Sequence, residues 1–337
     1  MDRVAAAAAH HLSRLLTGNA LSQPIAVAAT LGVADLVEDG PRTVADLAQA
    51  TETHADSLHR LLRALATLGV LVETEPGRFG LGELGHPLRS NAPHSLRAVA
   101  ILAGEAWRAA SFELLHSVRT GGSGFEKRFG VPMYRYFETH PEAGANFNAV
   151  QAAHAGAIDL AAAVDFAGAG TVVDVGGGTG GVLLQLLAAR PELAGVIFDL
   201  PPVAAEAEAL VAARGLGARC RVVGGDFFTR VPSGGDVYLL CFVLHNWDDA
   251  GAARILEHTA AAMVPGARVV IVESLLSPSG PSASHTALLD LEMLVFTSGG
   301  RERSEAEYRG LLAAAGFGAP RVHPTPTTAS ILEARRL

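Results

Sequence analysis

The sequence predicts an α/β protein in which a doubly wound, Rossmann-like parallel sheet follows an N-terminal helical module of the winged-helix type. Three observations predict this architecture. Apolar runs alternate with helical stretches after residue 170, a glycine-rich turn at 176–181 follows the first of these runs, and apolar residues recur at helical spacing over 12–71. We therefore expect a winged-helix-like domain at 1–104, a helical linker that walls the ligand site at 105–166, and a ligand-binding sheet domain at 167–337.

The N-terminal module is predicted from short helices followed by a hairpin. Apolar residues three or four apart indicate packed helices up to about residue 68. Residues 71–74 and 78–81 have strand character on either side of a Pro-Gly turn. Helices followed by such a hairpin are typical of a winged helix with a two-stranded wing.

A winged helix raises the alternative of DNA binding. The candidate recognition helix at 59–63 carries only two arginines, and the wing carries Glu73 and Glu75. The net charge of −8 also works against a polyanionic partner. We therefore expect no nucleic-acid partner, and we expect a second copy of the chain to cover the apolar surface of these helices.

Composition bounds the cellular setting. The chain has 337 residues, 49% of them hydrophobic and 18% charged, which suffices for two domains with substantial cores. The two cysteines, Cys220 and Cys241, are too few for a disulfide framework and indicate a reducing compartment. The N-terminus does not resemble an export signal, and no apolar stretch is long enough to span a bilayer. We expect a cytoplasmic protein without a membrane partner.

The run at 172–181 leads from a buried-strand pattern through a glycine turn into a helix. Glycine there lets a charged ligand approach bare backbone N–H groups and permits positive φ angles. The next strand-like segment, 195–199, ends in Asp199, where a carboxylate can accept hydrogen bonds from two ribose hydroxyls. The pattern predicts a nucleotide-type cofactor, with a tight turn that binds nothing as the alternative.

Two cofactors remain open at this point, because the glycine spacing also satisfies the G-x-G-x-x-G pattern of NAD-binding folds. A third strand-like segment closes with Asp226 and Phe227, an acid and a ring that suit an adenine amino group and its face, although Phe227 could equally be core. No second glycine fingerprint appears, and 318–323 and 330–334 fit an antiparallel sheet edge. These features disfavour an NAD domain, which needs a second mononucleotide half.

Six motifs follow one another at residues 173–180, 198–201, 224–228, 244–248, 272–274 and 299–303. In order, spacing and content they resemble the dimeric small-molecule O-methyltransferases that use S-adenosylmethionine, a family with plant phenolic and bacterial antibiotic-tailoring members. The resemblance covers nearly the whole chain and is most specific in the sheet domain. It implies that the winged-helix module serves dimerisation.

The resemblance also implies a set of cofactor-binding residues. Gly176 would lie against S-adenosylmethionine, Asp199 would hold its ribose, and Asp226 with Phe227 would frame its adenine. Cys241 stands where the family often has lysine or serine, so its role is open, and Trp247 is either an aromatic floor or simple packing. The predicted set comprises Asp174, Gly176, Gly178, Asp199, Asp226, Phe227, Cys241 and Trp247.

Methyl transfer from a sulfonium to an oxygen is helped by a base, because a hydroxyl is a poor nucleophile and its anion is a good one. Histidine has a suitable pKa, and His245 follows the strand pattern at 237–243, at a carboxyl end of the sheet. Glu273 and Glu302 match acids that flank the family's catalytic histidine. The alternatives are a packed core histidine, a strand-end salt bridge for Glu273, and an exposed Glu302 paired with a neighbouring arginine.

The acceptor site is predicted from the resemblance as well. A helix carrying Phe147 and Gln151 would face the acceptor, and glutamine in place of the usual methionine suggests a more polar acceptor; Phe147 could instead be interdomain core. No spacing of histidine, cysteine and acids imitates a metal site, so no metal is expected. The predicted acceptor-binding residues are Phe147, Gln151, His154, Asn246, Met293, Leu294 and Thr297.

The sequence therefore predicts a homodimeric O-methyltransferase acting on a hydroxyl of an aromatic or polyketide-type small molecule, as part of secondary metabolite or antibiotic biosynthesis. One alternative is a relative that binds S-adenosylmethionine but catalyses hydroxylation or decarboxylation. Another is a winged-helix regulator that senses a small ligand.

Overall fold

The computed structural model describes residues 3–93, 95–156, 158–277, 279–280 and 283–337, with the backbone alone at 3–6, 14, 152 and 154–156. The chain divides into two compact units. The first comprises Met1–Ala109 and Tyr136–Ala153, and the second comprises Ala110–Arg135 and His154–Leu337. The expected linker at 105–166 thus contributes helices to both units, and the domain boundaries drawn at 104 and 166 stay a prediction.

The N-terminal module of the first unit is built from short helices around a small apolar core. Leu47, Leu62, Leu65 and Phe79 are fully buried in this core. Its helices are α1 (Arg3–Leu16), α2 (Gly18–Thr30), α3 (Val33–Leu36), α4 (Val44–Ala50), α5 (Ala55–Thr67), the 3₁₀ helix Glu83–Leu88 and α6 (Arg97–Gly104).

The predicted wing is present as an antiparallel hairpin of β2 (Leu71–Glu75) and β3 (Arg78–Leu81). A further strand, β1 (Arg42–Thr43), pairs with β3 and was not predicted, because two residues carry no recognisable period. Thr43 then caps α4: its hydroxyl accepts the Asp46 N–H, and the Asp46 carboxylate accepts the Thr43 N–H.

The segment between the module and the sheet is helical, and the boundary between the units crosses it. Its elements are α7 (Ala106–Ser111), α8 (Leu114–Thr120), α9 (Gly124–Phe129), α10 (Met133–Thr139), α11 (Pro141–Gly156) and α12 (Leu160–Ala163).

The second unit contains the predicted doubly wound sheet. Its strand order is β10-β11-β8-β7-β4-β5-β6, with β9 beside β8; β10 and β11 form the predicted antiparallel edge. The elements are β4 (Thr171–Val175), α13 (Gly181–Ala189), β5 (Ala194–Asp199), α14 (Pro201–Ala213), β6 (Cys220–Gly224), β7 (Val237–Cys241), the 3₁₀ turn Leu244–Asn246, α15 (Asp249–Ala262), β8 (Arg268–Leu276), α16 (Ala283–Phe296), β9 (Arg303–Ser304), α17 (Glu305–Ala314), β10 (Arg321–Pro324) and β11 (Ala329–Arg335).

Both faces of this sheet are covered, which explains its continuous apolar strands. Successive residues of a strand point to opposite faces. Val172 and Val270 belong to one core cluster, whereas their neighbours Val173 and Val269 belong to the other. Strands buried in this way need apolar residues at every position, the pattern from which they were predicted.

The strand order places a crevice at the carboxyl ends of the central strands. β4 pairs in parallel with β5 on one side and with β7 on the other, so the chain order reverses between β4 and β7. Open α/β sheets bind ligands at the carboxyl edge of such a switch point. The residues that follow β4, β5, β7 and β8 therefore meet at one edge. Among the described residues, no helix combines the length and apolarity needed to cross a bilayer.

Apolar side chains on α1 and α2 lead to a prediction about assembly. Leu12, Leu15, Leu16, Leu21 and Val27 are between 43% and 75% exposed, an extent of apolar surface that favours burial against a partner. We expect light scattering at low micromolar concentration to report a homodimer. Leu15→Glu with Leu16→Glu should shift it to monomer, while Leu337→Glu, at an exposed C-terminal leucine, should leave it dimeric. A folded, active wild-type monomer would refute this expectation.

Candidate active site

The glycine turn after β4 has the conformation that its sequence requires. Gly176, Gly178 and Gly180 have φ angles of 69°, 57° and 86°, a region that side chains disfavour. A Cβ on Gly176 would lie 3.0 Å from Val243 and 3.4 Å from the Phe227 ring. The turn thus presents bare backbone next to Phe227, just before α13 begins.

Asp199 closes β5 beside this turn. Its Oδ2 accepts the Gly178 N–H at 2.7 Å, and its Oδ1 accepts the Leu200 N–H at 2.7 Å. Burial raises the pKa of Asp199, and the two N–H donors oppose that rise. Since a carboxylate offers about four acceptor sites, Asp199 retains sites for a ligand diol.

Asp174 provides an unsatisfied acceptor at the same place. The residue is 1% exposed, and its Oδ1 has no hydrogen-bond partner among the described residues. Burial, followed by the nearby Asp199 carboxylate, raises the pKa of Asp174 to about 7. A buried polar atom without a partner is costly, so a ligand that donates a hydrogen bond here would be favoured. The residues present therefore fit the cofactor expected from the sequence.

An aromatic corner stands beside the glycine turn. The Trp247 ring packs edge-on against Phe228 at 4.5 Å and Phe227 at 5.9 Å between centroids. Asp226 is exposed, and its Oδ1 accepts the Phe228 N–H at 2.8 Å. The structure therefore brings Gly176, Phe227 and Trp247 together, and the packing of Trp247 against both phenylalanines accounts for its burial.

Cys241 is the last residue of β7, and its thiol is half-buried. Burial first, and then the carboxylates of Asp174 and Glu273, raise the pKa of Cys241 well above its usual value. The thiol is therefore neutral near pH 7. Its predicted role toward the cofactor stays a prediction.

His245 lies in the 3₁₀ turn after β7, between two carboxylates. Its Nδ1 is 2.9 Å from Glu302 Oε1 and 3.6 Å from Glu273 Oε2. Both glutamates are fully buried. The alternative of an exposed Glu302 paired with a neighbouring arginine is therefore wrong, because Glu302 faces inward and bonds the imidazole.

The carboxylates determine the protonation of this cluster. Burial alone would lower the pKa of His245, but Glu273 and Glu302 outweigh it and raise that pKa to about 8. Burial raises the pKa of Glu273 to about 7, with His245 opposing and Glu302 adding to the rise. The imidazole can therefore gain and lose a proton close to neutral pH.

Glu273 also holds the backbone of the turn. Its Oε1 accepts the N–H groups of Leu244 at 2.9 Å and His245 at 3.3 Å. Because Glu273 belongs to a central strand, this contact fixes the imidazole relative to the sheet.

Arg303 is a residue of this site that sequence analysis missed. It is fully buried, and its guanidinium donates to Leu244 O at 3.0 Å, Trp247 O at 2.8 Å and Asp249 Oδ1 at 2.9 Å. Its neighbour Glu302, directly before β9, bonds the imidazole, so both residues contact the His245 turn. The motif at 299–303 marked the place, but an Arg-Glu-Arg run is usually a solvated loop.

Two predicted acceptor-binding residues use their polar groups within the protein. Asn246 Nδ2 donates to Phe242 O at 3.0 Å and Val243 O at 3.3 Å. The Thr297 hydroxyl donates to Met293 O and accepts the Gly300 N–H, both within 2.8 Å, at the end of α16. Contact of these residues with an acceptor stays a prediction.

The remaining predicted acceptor residues are distributed over the two units. Phe147 stacks on Phe137 at 4.6 Å within the first unit, and Gln151 is exposed on the same helix, α11. Met293 and Leu294 are half-buried on α16 in the second unit. The side chain of His154 lies outside the described residues.

Aromatic residues of the helical segment form contacts within each unit. Phe125 and Phe129 have ring centroids 4.6 Å apart in the second unit, and Tyr136 and Phe137 have ring centroids 5.7 Å apart in the first.

The side chains of His245, Glu273 and Glu302 are close enough together to coordinate a metal ion. One potential ligand atom from each of His245, Glu273 and Glu302 lies within 4.8 Å of the others. The hydrogen bond from Nδ1 to Glu302 satisfies this pair without a metal, so the expectation of no metal stays a prediction to be tested.

Two family models match different parts of the chain. The family model for an O-methyltransferase domain matches residues 112–318, and the model for an O-methyltransferase dimerisation domain matches residues 13–90.

Relatives match over almost their full length. The phenazine O-methyltransferase PhzM of Lysobacter antibioticus is 44% identical, over 96% of this chain and 95% of its own. The solved mitomycin 7-O-methyltransferase MmcR has a TM-score of 0.91 and 39% identity, with 99% of each chain covered.

A third relative was solved with ligands. The O-methyltransferase NcsB1 from neocarzinostatin biosynthesis, in complex with S-adenosylmethionine and 2-hydroxy-5-methyl naphthoic acid, has a TM-score of 0.82 and 38% identity, over 94% of this chain and 96% of its own. These findings confirm the predicted fold class, the O-methyltransferase activity and the cofactor. With a domain model matching more than half of its length and relatives similar along nearly all of it, the chain belongs to the O-methyltransferase family of S-adenosylmethionine-dependent enzymes.

Proposed function

We propose that this enzyme methylates a hydroxyl group of an aromatic or polyketide-type small molecule in secondary metabolism, with His245 as general base. The observation that carries the proposal is the imidazole held between two buried carboxylates, at the sheet edge that also carries the glycine turn. The relatives include a phenazine and a mitomycin O-methyltransferase, which supports a cyclic, hydroxyl-bearing acceptor.

Residues of the glycine-turn edge would hold the cofactor. Asp199 would accept its ribose hydroxyls, Asp174 would accept a further donor of the cofactor, and Phe227 would lie against its adenine. Bound S-adenosylmethionine supplies an electrophilic methyl group on a sulfonium. A Cβ on Gly176 would press on Val243 and on the Phe227 ring, so glycine at this position leaves that ring undisturbed.

The two carboxylates prepare His245 for proton transfer. Glu302 accepts the Nδ1–H, so that Nε2 carries the lone pair and can take the proton of the acceptor hydroxyl. The resulting imidazolium faces Glu273 and Glu302, which stabilise its charge. Activity should therefore require the imidazole to be neutral before the acceptor ionises.

The exposed apolar helices and the dimerisation-domain match support a homodimer as the working form. A cytoplasmic location and the absence of a nucleic-acid or membrane partner stay predictions.

The activity itself can be tested directly. Incubation with methyl-labelled S-adenosylmethionine and a panel of phenols, hydroxynaphthoates and hydroxyphenazines should label at least one acceptor and increase its mass by one methyl group. Excess chelator should leave the rate unchanged, since His245 Nδ1 is already bonded to Glu302 Oε1. Labelling of none of the panel would count against the acceptor class, and chelator-sensitive turnover would show that a metal is required.

Asp199 provides a test of the cofactor site. Asp199→Ala removes the acceptor for the ribose hydroxyls, and hydrogen bonds to a charged group contribute about 1.5–3 kcal/mol, so affinity should fall roughly tenfold to a hundredfold. Calorimetry with S-adenosylmethionine measures it. Asp236 is the matched control, because it also accepts two backbone N–H groups, from Gly170 and Thr171, but at the opposite edge of the sheet. Equal affinity in folded wild type and Asp199→Ala would remove Asp199 from the site.

His245 provides a test of the mechanism. The wild-type rate should rise with pH through about 8, because the base must be unprotonated and its pKa lies there. His245→Ala should lower kcat by roughly 10²–10⁴-fold and lose this rising limb, with cofactor affinity little changed. The acceptor should have a hydroxyl pKa above about 9, so that it does not ionise unaided.

The control for this test is His323→Ala. His323 also pairs with a carboxylate, that of Glu333, but it lies on the β10–β11 hairpin at the edge of the sheet. The His323→Ala variant should keep both kcat and the pH profile. Nearly normal turnover with an unchanged profile in His245→Ala would exclude His245 as the base.

A further inference from the structure

We propose that Arg303 is a positioning residue for His245: its guanidinium fixes the backbone turn that carries the imidazole, and its buried charge offsets the two carboxylates that the imidazole faces. This inference rests on the proposed role of His245 as general base.

The geometry of the guanidinium supports the first part. Arg303 donates to Leu244 O at 3.0 Å and to Trp247 O at 2.8 Å, the carbonyls on either side of the His245–Asn246 segment. A third bond, from Nε to Asp249 Oδ1 at 2.9 Å, orients the group from α15. Arginine suits this position because its planar fork addresses several acceptors at fixed angles, which an ammonium group does not.

The turn that Arg303 holds is strained and needs such support. Phe242 has a φ of 54°, which is costly for a bulky side chain, and such strain persists only where the surroundings enforce it. The Asn246 side chain binds the carbonyls of Phe242 and Val243, and the Arg301 N–H binds His245 O at 2.8 Å. Arg303 supplies side-chain donors to the carbonyls of Leu244 and Trp247, which the other side chains of the turn do not reach.

The loop that leads to Arg303 lies in close contact with the backbone of the His245 turn, so a shift of one would move the other. A Cβ on Gly300 would lie 2.6 Å from His245 O, so the 299–303 loop and the His245 turn lie against each other. A displaced guanidinium would therefore move the imidazole together with its carboxylate partners.

The charge of Arg303 acts on the same cluster. Glu273 and Glu302 raise the pKa of His245 against the effect of burial, and Arg303 lowers it. Each glutamate has an Oε2 without a hydrogen-bond partner among the described residues, so much negative charge remains uncompensated by hydrogen bonds. The buried cation keeps the imidazole from becoming too basic to return its proton.

Other groups around the cluster are neutral or lie on its periphery. Burial raises the pKa of Tyr308 and Cys241, so these groups carry no charge near neutral pH. Asp290 on α16 accepts the Glu302 N–H, and Asp249 on α15 pairs with both Arg303 and Arg301. The charged groups at the cluster are therefore Glu273, Glu302, Arg303, Asp290, Asp249 and Arg301.

Two variants separate the geometry of Arg303 from its charge. Arg303→Lys keeps the charge but loses the fork, and Arg303→Gln keeps a hydrogen-bonding amide but loses the charge. We expect Arg303→Lys to lower kcat roughly tenfold to a hundredfold, as misplacement of a reacting group does, with the pH limb near that of wild type and both KM values little changed. Arg303→Gln should lower kcat and also move the limb to higher pH, because the pKa of His245 rises when a nearby cation is removed.

Arg268 is the matched control. It is nearly buried and donates to a backbone carbonyl, Asp165 O, and to a carboxylate, Glu333 Oε1, both at 2.7 Å, but it stands at the opposite end of β8 from Glu273. Arg268→Lys and Arg268→Gln should lower the thermal unfolding temperature, while kcat per folded molecule and the pH limb stay at wild-type values.

The outcomes are distinguishable. A wild-type kcat in folded Arg303→Lys overturns the geometric part, and an unmoved limb in folded Arg303→Gln overturns the electrostatic part. If Arg303→Gln does not fold, the same limb is read in Asp249→Asn, which should move it to lower pH by leaving the cation uncompensated; an unmoved limb there has the same meaning. If His245→Ala keeps the rising limb of the pH profile, His245 is not the base. If His245→Ala loses the limb but both Arg303 variants keep the wild-type kcat and pH profile, His245 remains the base and the role of Arg303 is rejected.

Discussion

The arrangement of the candidate active site depends on the hydrogen bonds that the buried Glu273 carboxylate accepts from the backbone of the His245 turn. Burying an ionised carboxylate is expensive unless its charge is paired and its oxygens are bonded. Here one oxygen accepts two backbone N–H groups of the His245 turn, and the other faces the imidazole. Because Glu273 lies on β8, between β7 and β11 in the sheet, these bonds tie an irregular turn to a rigid strand. The position of His245 is thereby set by the sheet and not by the loop that carries it.

The cluster of His245, Glu273 and Glu302 is not well explained as a contribution to the folding stability of the protein. Buried ion pairs often contribute little to folding, since desolvation offsets their attraction. Asp174, Glu273 and His245 instead lie near one edge of the sheet, and each has a pKa raised to a value close to neutral pH. Perturbed groups that converge on one cleft are typical of functional sites. The backbone strain at Phe242, directly before the turn, is a further cost that the surrounding hydrogen bonds maintain.

The sequence predicted the fold more completely than the site. β7 (Val237–Cys241) was predicted from the apolar run at 237–243, because buried parallel strands are apolar at every position. β1 was missed because two residues have no period, and Arg303 was missed because a charged run carries no mark of its burial. The polar groups of Asn246 and Thr297 bind backbone atoms of neighbouring turns, which depends on the path of the chain in three dimensions and leaves no pattern in the sequence.

The expected cofactor edge limits the choice of residue types more than the expected acceptor side does, for a physical reason. Gly176 has a positive φ and Asp199 is a carboxylate at a strand end, and few residue types meet those requirements. An acceptor is bound mainly through apolar shape, which many combinations of side chains can provide. The residues predicted for it belong to both units, Phe147 and Gln151 to the first and Met293 and Leu294 to the second. None of these four side chains takes part in the hydrogen bonds that hold the His245 turn, so substitutions at them should leave those bonds intact.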